Sequence, residues 1–365
     1  MRVRGAILQS VLLSAAALCA RAAQTILSNT ALPLDSSGAL MQTGESCVLA
    51  EGDGSYVLYA NVWGGCPGVD CCPSSGGCAS CCFAGPNDPC VYTSNHTVVA
   101  YRTRDFAAWA PLGAVQTPAD RRTGTEFRPQ VVYSPARREY VLWYEDRWAS
   151  GGSNPGYAVA TAPTAAGPFT TLSNSTVLPG KGRVGDYDLF VDPDTGKAYH
   201  VRTGVTIVEL SADYTAPASP PAVYELPDGS VEGPAMFKRA GVYYLLFGVG
   251  CCACRGGSNV LVYTAPAPLG PYTFRGDVGS NKTSGHVFDK ASPWNYVTRS
   301  QQTKVFTVPA SDGSLQYVFL GNQWVTAQQP GRPRSHDLLF WAVLQFDAAG
   351  MIQQLTWQDS ATIDV

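Results

Sequence analysis

Charge is scarce in this chain: Asp, Glu, Lys and Arg make up only 15% of its 365 residues, and the formal net charge is −3 at pH 7. No basic run interrupts that pattern, which argues against a nucleic-acid partner. Histidine is rarer still, with four in all. His96 and His200 read as surface or strand positions, and His336 alone is poor ground for a metal, so no metal and no cofactor is expected. After the apolar run from Ile7 to Cys19 there is no second long hydrophobic stretch, and that first one is too short for a comfortable membrane span. Arg2 and Arg4 precede it and Ala20-Arg21-Ala22 offers a small-x-small cleavage site, so residues 1–22 read as a signal peptide and the mature protein as secreted, without a membrane partner. Those residues carry three arginines and no acid, so their removal takes the net charge from −3 to −6.

Cysteine, by contrast, is abundant. Eleven remain after Cys19, seven of them between Cys66 and Cys90, with Cys47 just before and Cys251, Cys252 and Cys254 in a second cluster. In an oxidising compartment such density staples loops that lack a core of their own. The odd count leaves one thiol free, paired between chains, or bound to something. Sequons at Asn95, Asn174 and Asn281 agree with a secretory route and with glycans on exposed loops.

Helix signals are few, while short apolar strands bounded by Gly, Pro, Asn and Asp recur throughout. One phrase, a turn followed by an aromatic-rich strand, returns five times: Tyr56–Tyr59, Tyr140–Tyr144, Ala198–Val201, Tyr243–Phe247 and Tyr317–Leu320. A second phrase, a strand leading to a Gly-Pro-aromatic turn, appears at Gly167-Pro168-Phe169 and at Gly270-Pro271-Tyr272. β units of fixed theme and irregular spacing predict an all-β, five-bladed β-propeller, one domain over residues 23–365 with a Cys-rich insertion at about 62–92. A β-sandwich is the alternative, because short strands alone do not count blades.

In a small propeller the inner strand of each blade faces a central funnel, so carboxylates far apart in sequence converge. Glycoside hydrolysis needs two such groups about the scissile bond. Glu232 stands on a Gly-Pro turn before the apolar strand Val242–Phe247, where partial desolvation raises a carboxyl pKa towards the range useful for proton donation. Asp186 and Asp188 enter the third blade and Glu126 the second; Asp192 and Asp194 read as hairpin-turn residues. Arg128 reads equally as the partner of a buried carboxylate.

Six ordered motifs carry a resemblance: Arg128-Pro129-Gln130-Val131-Val132-Tyr133, Asp186-Tyr187-Asp188-Leu189-Phe190-Val191-Asp192, Glu232-Gly233-Pro234-Ala235-Met236-Phe237-Lys238, Ser300-Gln301-Gln302-Thr303, Gly321-Asn322-Gln323-Trp324 and His336-Asp337-Leu338-Leu339-Phe340-Trp341. Together they resemble the five-bladed propellers of glycoside hydrolase family 43, and within it the branch of exo-β-1,3-galactanases. The resemblance implies a glycosidase acting on galactan-like or hemicellulosic polysaccharide with inversion. Glu232 would be the general acid and Asp186 the carboxylate that raises its pKa. Inversion implies a base roughly 6.5–9.5 Å from the acid. The family's first-blade aspartate has no counterpart in Leu34–Met41; the resemblance makes Gln301 the water activator instead. Glu126 lies one residue earlier than the branch's usual glutamate, so either a strand turns it away or a bulge restores it. Asn322 stands where an aspartate is more usual.

Tyr187, Trp324 and Trp341 are the candidate sugar platforms, with Arg128 and Asn322 as further substrate-binding residues, and blade packing is the competing role for the aromatics. An α-L-arabinofuranosidase or β-xylosidase, a non-catalytic carbohydrate-binding propeller, and a structural extracellular protein remain open beside the galactanase reading.

Overall fold

A computed structural model describes residues 24–62, 97–121, 125–147, 156–226, 231–249, 257–280, 296–324 and 337–365. The expected signal peptide, the Cys-rich stretch from residue 63, Cys251, Cys252 and Cys254, His96 and His336, and the sequons at Asn95 and Asn281 lie outside the described residues.

The described strands form the five-bladed propeller that the five phrases predict. After β1 (Gln24–Ser28), blade one is β2 (Gly44–Ala50), β3 (Tyr56–Val62), β4 (Thr97–Thr103) and β5 (Ala110–Gln116). Blade two is β6 (Thr125–Ser134), β7 (Glu139–Arg147), β8 (Tyr157–Ala162) and β9 (Thr170–Thr176). Blade three is β10 (Tyr187–Val191), β11 (Ala198–Arg202), β12 (Thr206–Glu209) and β13 (Val223–Glu225), and blade four is β14 (Glu232–Arg239), β15 (Val242–Gly248), β16 (Leu261–Ala265) and β17 (Thr273–Asp277). Blade five is β18 (Gln301–Pro309), β19 (Leu315–Gln323) and β20 (Leu338–Val343), followed by β21 (Ser360–Asp364). Within each blade the strands pair antiparallel in chain order. The aromatic phrases are the second strands, β3, β7, β11, β15 and β19. The inner strands meet in the cyclic order β2, β6, β10, β14, β18 and back to β2.

Burial follows the same fivefold plan. The second strands are apolar on both faces because each blade is sandwiched between two others. Five hydrophobic clusters occupy the five interfaces: Val57, Leu142 and Phe169 between blades one and two; Trp143, Leu189 and Val208 between two and three; Val201, Leu245 and Tyr272 between three and four; Leu246, Phe319 and Phe340 between four and five; and Leu58, Phe306 and Trp341 between five and one. The Gly-Pro-aromatic turns stitch these interfaces. Phe169 N–H donates to the Val115 carbonyl at 2.8 Å and Tyr272 N–H to the Tyr224 hydroxyl at 3.0 Å, each reaching into the preceding blade.

The ring closes by pairing its ends. β1 runs antiparallel to β21, with Ile26 opposite Thr362. Asn29, fully buried, then locks the N-terminal segment to blade five: its Oδ1 accepts from Trp341 N–H at 2.7 Å, and its Nδ2 donates to the carbonyls of Trp341 and Gln358, both at 3.0 Å.

Candidate active site

Every inner strand except β10 is irregular near its first residues. The pairing register shifts between Gly44 and Cys47, Phe127 and Gln130, Glu232 and Ala235, and Gln302 and Lys304. Such bulges re-aim side chains and cluster beside active sites. In three of them the second residue is left-handed: Glu45 (φ 47°), Arg128 (φ 53°) and Gly233 (φ 58°). Glu45, Arg128 and Gly233 therefore hold equivalent places in blades one, two and four, and Glu232 is the residue just ahead of that place.

Arg128 organises the rim these bulges form. Its fully buried guanidinium grips Asp186 through two bonds, Nε to Oδ1 at 3.0 Å and Nη2 to Oδ2 at 2.8 Å. It also donates to the Gln302 carbonyl at 2.9 Å and to Gln301 Oε1 at 2.6 Å. A planar fork matched to a carboxylate fixes orientation as well as charge. Burial opposes the Arg128 charge, but Asp186, Glu45, Glu232 and Glu145, in that order, more than offset it and lift its pKa. Asp186 and Glu232 thus share the field of one cation, at one end of the axis. Gly233 confirms the closeness, since a Cβ there would lie 3.0 Å from Gln301 Cγ.

Gln301 completes the cluster with its amide orientation fixed by three partners. Oε1 accepts from Arg128 and from Trp324 Nε1 at 3.1 Å, while Nε2 donates to Asp186 Oδ2 at 2.8 Å. Both lone pairs of the amide oxygen are engaged. As held here, Gln301 offers a water its second N–H rather than an acceptor. The water-activating role implied by the resemblance would require one of those two bonds to open.

Glu45 was not legible as a site residue. It is 3% exposed, and its Oε2 accepts from Arg128 N–H at 2.9 Å and from Asn61 Nδ2 at 3.3 Å. Burial pushes its carboxyl up to about 8, with Arg128 opposing and Asp186 and Glu145 adding to the rise. Counting back from the aromatic phrases would have found it: Glu45, Arg128 and Gly233 lie 11, 12 and 10 residues ahead of Tyr56, Tyr140 and Tyr243. The segment Leu34–Met41 lies too early in the chain to supply a first-blade carboxylate to the rim.

The remaining candidates serve packing in this structure. Glu126 is buried and pairs with Arg121, Oε1 to Nε at 3.2 Å; the bulge follows it and delivers Arg128, not Glu126, to the rim. Asn322 bridges blades five and one, its Oδ1 accepting from Ser46 N–H and its Nδ2 donating to the Thr43 carbonyl, both at 3.3 Å. Tyr187 is fully buried with its ring stacked 4.6 Å from His200 and edge-on to Tyr157. Trp341 packs edge-on against Phe306, and Trp324, 2% exposed, spends its N–H on Gln301. The Tyr187 ring, covered by His200 and Tyr157, presents no face to a pyranose.

Farther along the axis, Asp188 turns the same way as Asp186, as residues two apart on a strand do. It meets Lys304 Nζ at 2.6 Å and Met236 N–H at 2.8 Å; burial raises its carboxyl pKa, and Lys304 opposes the rise. Beyond it the funnel opens on the opposite face into a mostly apolar cavity of about 260 Å³. The two mouths therefore differ: one polar and acidic, the other apolar.

Acids, an arginine and amides from separate blades gather at one rim of a five-bladed propeller, an arrangement in which carboxyl groups can flank a glycosidic bond. Residues 88–336, more than half of the chain, match the sequence signature of glycosyl hydrolases family 43, and the chain belongs to that family. Among solved structures it is similar to a family-43 β-1,3-galactosidase bound to galactodeoxynojirimycin (TM-score 0.68, 20% identity, 91% of this chain and 99% of that one). It is likewise similar to the exo-β-1,3-galactanases of Phanerochaete chrysosporium (0.66, 20%, 92% and 68%) and Clostridium thermocellum (0.68, 22%, 92% and 66%). At these identities the likeness is one of fold. A β-D-galactofuranosidase of Aspergillus niger is 28% identical over 182 residues, and the matched stretch spans 46% of each chain.

Proposed function

We propose that the protein is a secreted, inverting exo-glycosidase that removes terminal galactose from β-1,3-galactan-like chains. The observation that carries this reading is the clamp of Asp186, Arg128 and Gln301 with Glu232 beside it at the same rim. Glu232, at the edge of β14, donates the proton to the departing glycosidic oxygen. Asp186, held by Arg128, supplies the negative charge that favours the protonated form of Glu232 before each turnover. Gln301 holds the attacking water by its oxygen through the remaining N–H. As that oxygen bonds to the anomeric carbon and the glycosidic bond breaks, the proton the water sheds passes to solvent, from which Glu232 is reprotonated. The galactosidase names of the structural neighbours support the choice of sugar.

Sugar release from β-1,3-galactan tests the reading. Glu232→Gln should lower turnover roughly 10²- to 10⁴-fold, the usual contribution of a positioned acid; wild-type turnover in that variant would remove Glu232 from the role. The filled lone pairs of Gln301 favour a second reading, a sugar-binding propeller without turnover. Saturable binding of galacto-oligosaccharide with no product after long incubation would select it. An α-L-arabinofuranosidase or β-xylosidase would declare itself on a panel of nitrophenyl glycosides.

A further inference from the structure

We propose that Glu45 is a positioning residue that works as a neutral, proton-bearing carboxyl: it holds the left-handed backbone of Arg128 in place and, through Arg128, sets Asp186 and Gln301. The inference rests on the reading of this rim as the glycosidase centre, and it deepens that reading.

Three observations carry it. First, Arg128 is a non-glycine residue at φ 53°, followed by Pro129, in a bulge where its N–H leaves the sheet ladder. A side chain at such a φ is strained and persists only when its surroundings hold it. Glu45 Oε2 is the acceptor that takes that stranded N–H, at 2.9 Å. Second, Glu45 is itself left-handed, at φ 47°, and its own bulge is gripped from the other side by Asn322, which bonds Thr43 and Ser46 across the flanks of Glu45. The chain of support thus runs from blade five through blade one to Arg128 in blade two, then to Asp186 before blade three and back to Gln301 in blade five. Third, the surroundings of Glu45 disfavour a second anion. The groups that act on Glu45 are Arg128 from β6, Glu145 from β7 and Asp186 before β10, and Arg128 also feels Glu232 from β14. Glu45 is enclosed, at 3% exposure, with Asp186 and Glu145 acting on it as like charges, an arrangement that favours holding a proton on it. Ionised, Glu45 would place a second anion beside Arg128 and compete with Asp186 for it.

The test is a comparison of wild type, Glu45→Gln and Glu45→Ala in two assays. Glutamine copies the neutral carboxyl, with an amide oxygen to accept from Arg128 N–H. The stability assay needs no substrate. A carboxyl whose pKa is raised on folding contributes stability that is fully present below the unfolded value and is lost as pH rises through the folded value. The wild-type Tm should therefore fall relative to that of Glu45→Gln between about pH 5 and pH 8, and parallel profiles would overturn the proposal. In hydrolysis of β-1,3-galactan at about pH 5, Glu45→Gln should stay within about 3-fold of wild type, while Glu45→Ala, with Arg128 released, should lose roughly 10²-fold. If Glu45→Gln instead loses as much as Glu45→Ala, Glu45 acts as an ionised group and the proposal fails. A relative Tm fall with no galactan hydrolysis in wild type would uphold the proton on Glu45 and bring down only the galactanase reading.

Discussion

At the scale of single residues, Arg128 has the most to lose. It is fully buried and spends its donors on Asp186, Gln301 and Gln302, so truncation leaves the Asp186 carboxylate without its cation in a largely enclosed site. Breaking a buried pair by removing one partner costs about 3–5 kcal/mol, and Arg128→Ala should lose that much in urea unfolding. Arg128→Lys should recover only part of it, because an ammonium cannot span both oxygens of Asp186. Tyr187 offers the opposite case. Its hydroxyl is buried with no hydrogen-bond partner among the described residues, so Tyr187→Phe should leave Tm unchanged or raise it. These two residues also mark what the sequence made legible. Arg128, Asp186, Glu232 and Gln301 could be picked out because each sits in a motif beside a strand. That Tyr187 packs rather than binds sugar depends on His200 from its own blade and Tyr157 from blade two closing on its ring, and no local pattern encodes how blade two docks there.

At the scale of elements, the Gly-Pro-aromatic turns were visible as a repeated phrase, but their purpose appears only when blades adjoin. Gly270 and Gly241 make a controlled pair. Both have φ +78°, yet a Cβ at Gly270 would lie 2.5 Å from the Tyr224 ring, whereas one at Gly241 meets nothing within 4 Å. Alanine at Gly241 carries only the strain of a left-handed backbone, about 1 kcal/mol. Alanine at Gly270 carries that and must also push apart blades three and four, with Tyr272 drawn from its cluster. Gly270→Ala should therefore destabilise by about 2 kcal/mol more than Gly241→Ala, read from the difference in denaturant midpoint. Equal effects would mean that the turn is a connector and not a stitch. The bulges taught the complementary lesson. The distance from Phe127 to Gln130 is fixed in sequence, but whether the strand absorbs an extra residue there is settled by the partner strand β7, so the side on which Glu126 falls could not be read in advance.

At the scale of the whole molecule, circular closure makes the rim a shared property of all five blades. Each hydrophobic cluster is built from two neighbours, and the interface between blades five and one is the only one that chain connectivity does not supply. Asn29 is the polar bolt of that interface, satisfying both the N–H and the carbonyl of Trp341 as well as the Gln358 carbonyl. Asn29→Ala strands those three groups, and a buried unsatisfied group costs about 1–3 kcal/mol. The consequence reaches the rim because Asn322 joins blade five to blade one beside Glu45, and Gln323 Nε2 donates to the Asn29 carbonyl at 2.7 Å. If the blades stand or fall as a ring, Asn29→Ala should lower stability by about 2–4 kcal/mol, with tryptophan fluorescence and the proposed galactan turnover lost together, at the same denaturant midpoint. Activity disappearing well before fluorescence would show that blade one can part from blade five alone, and that the acids at the rim depend on a hinge rather than on a closed circle.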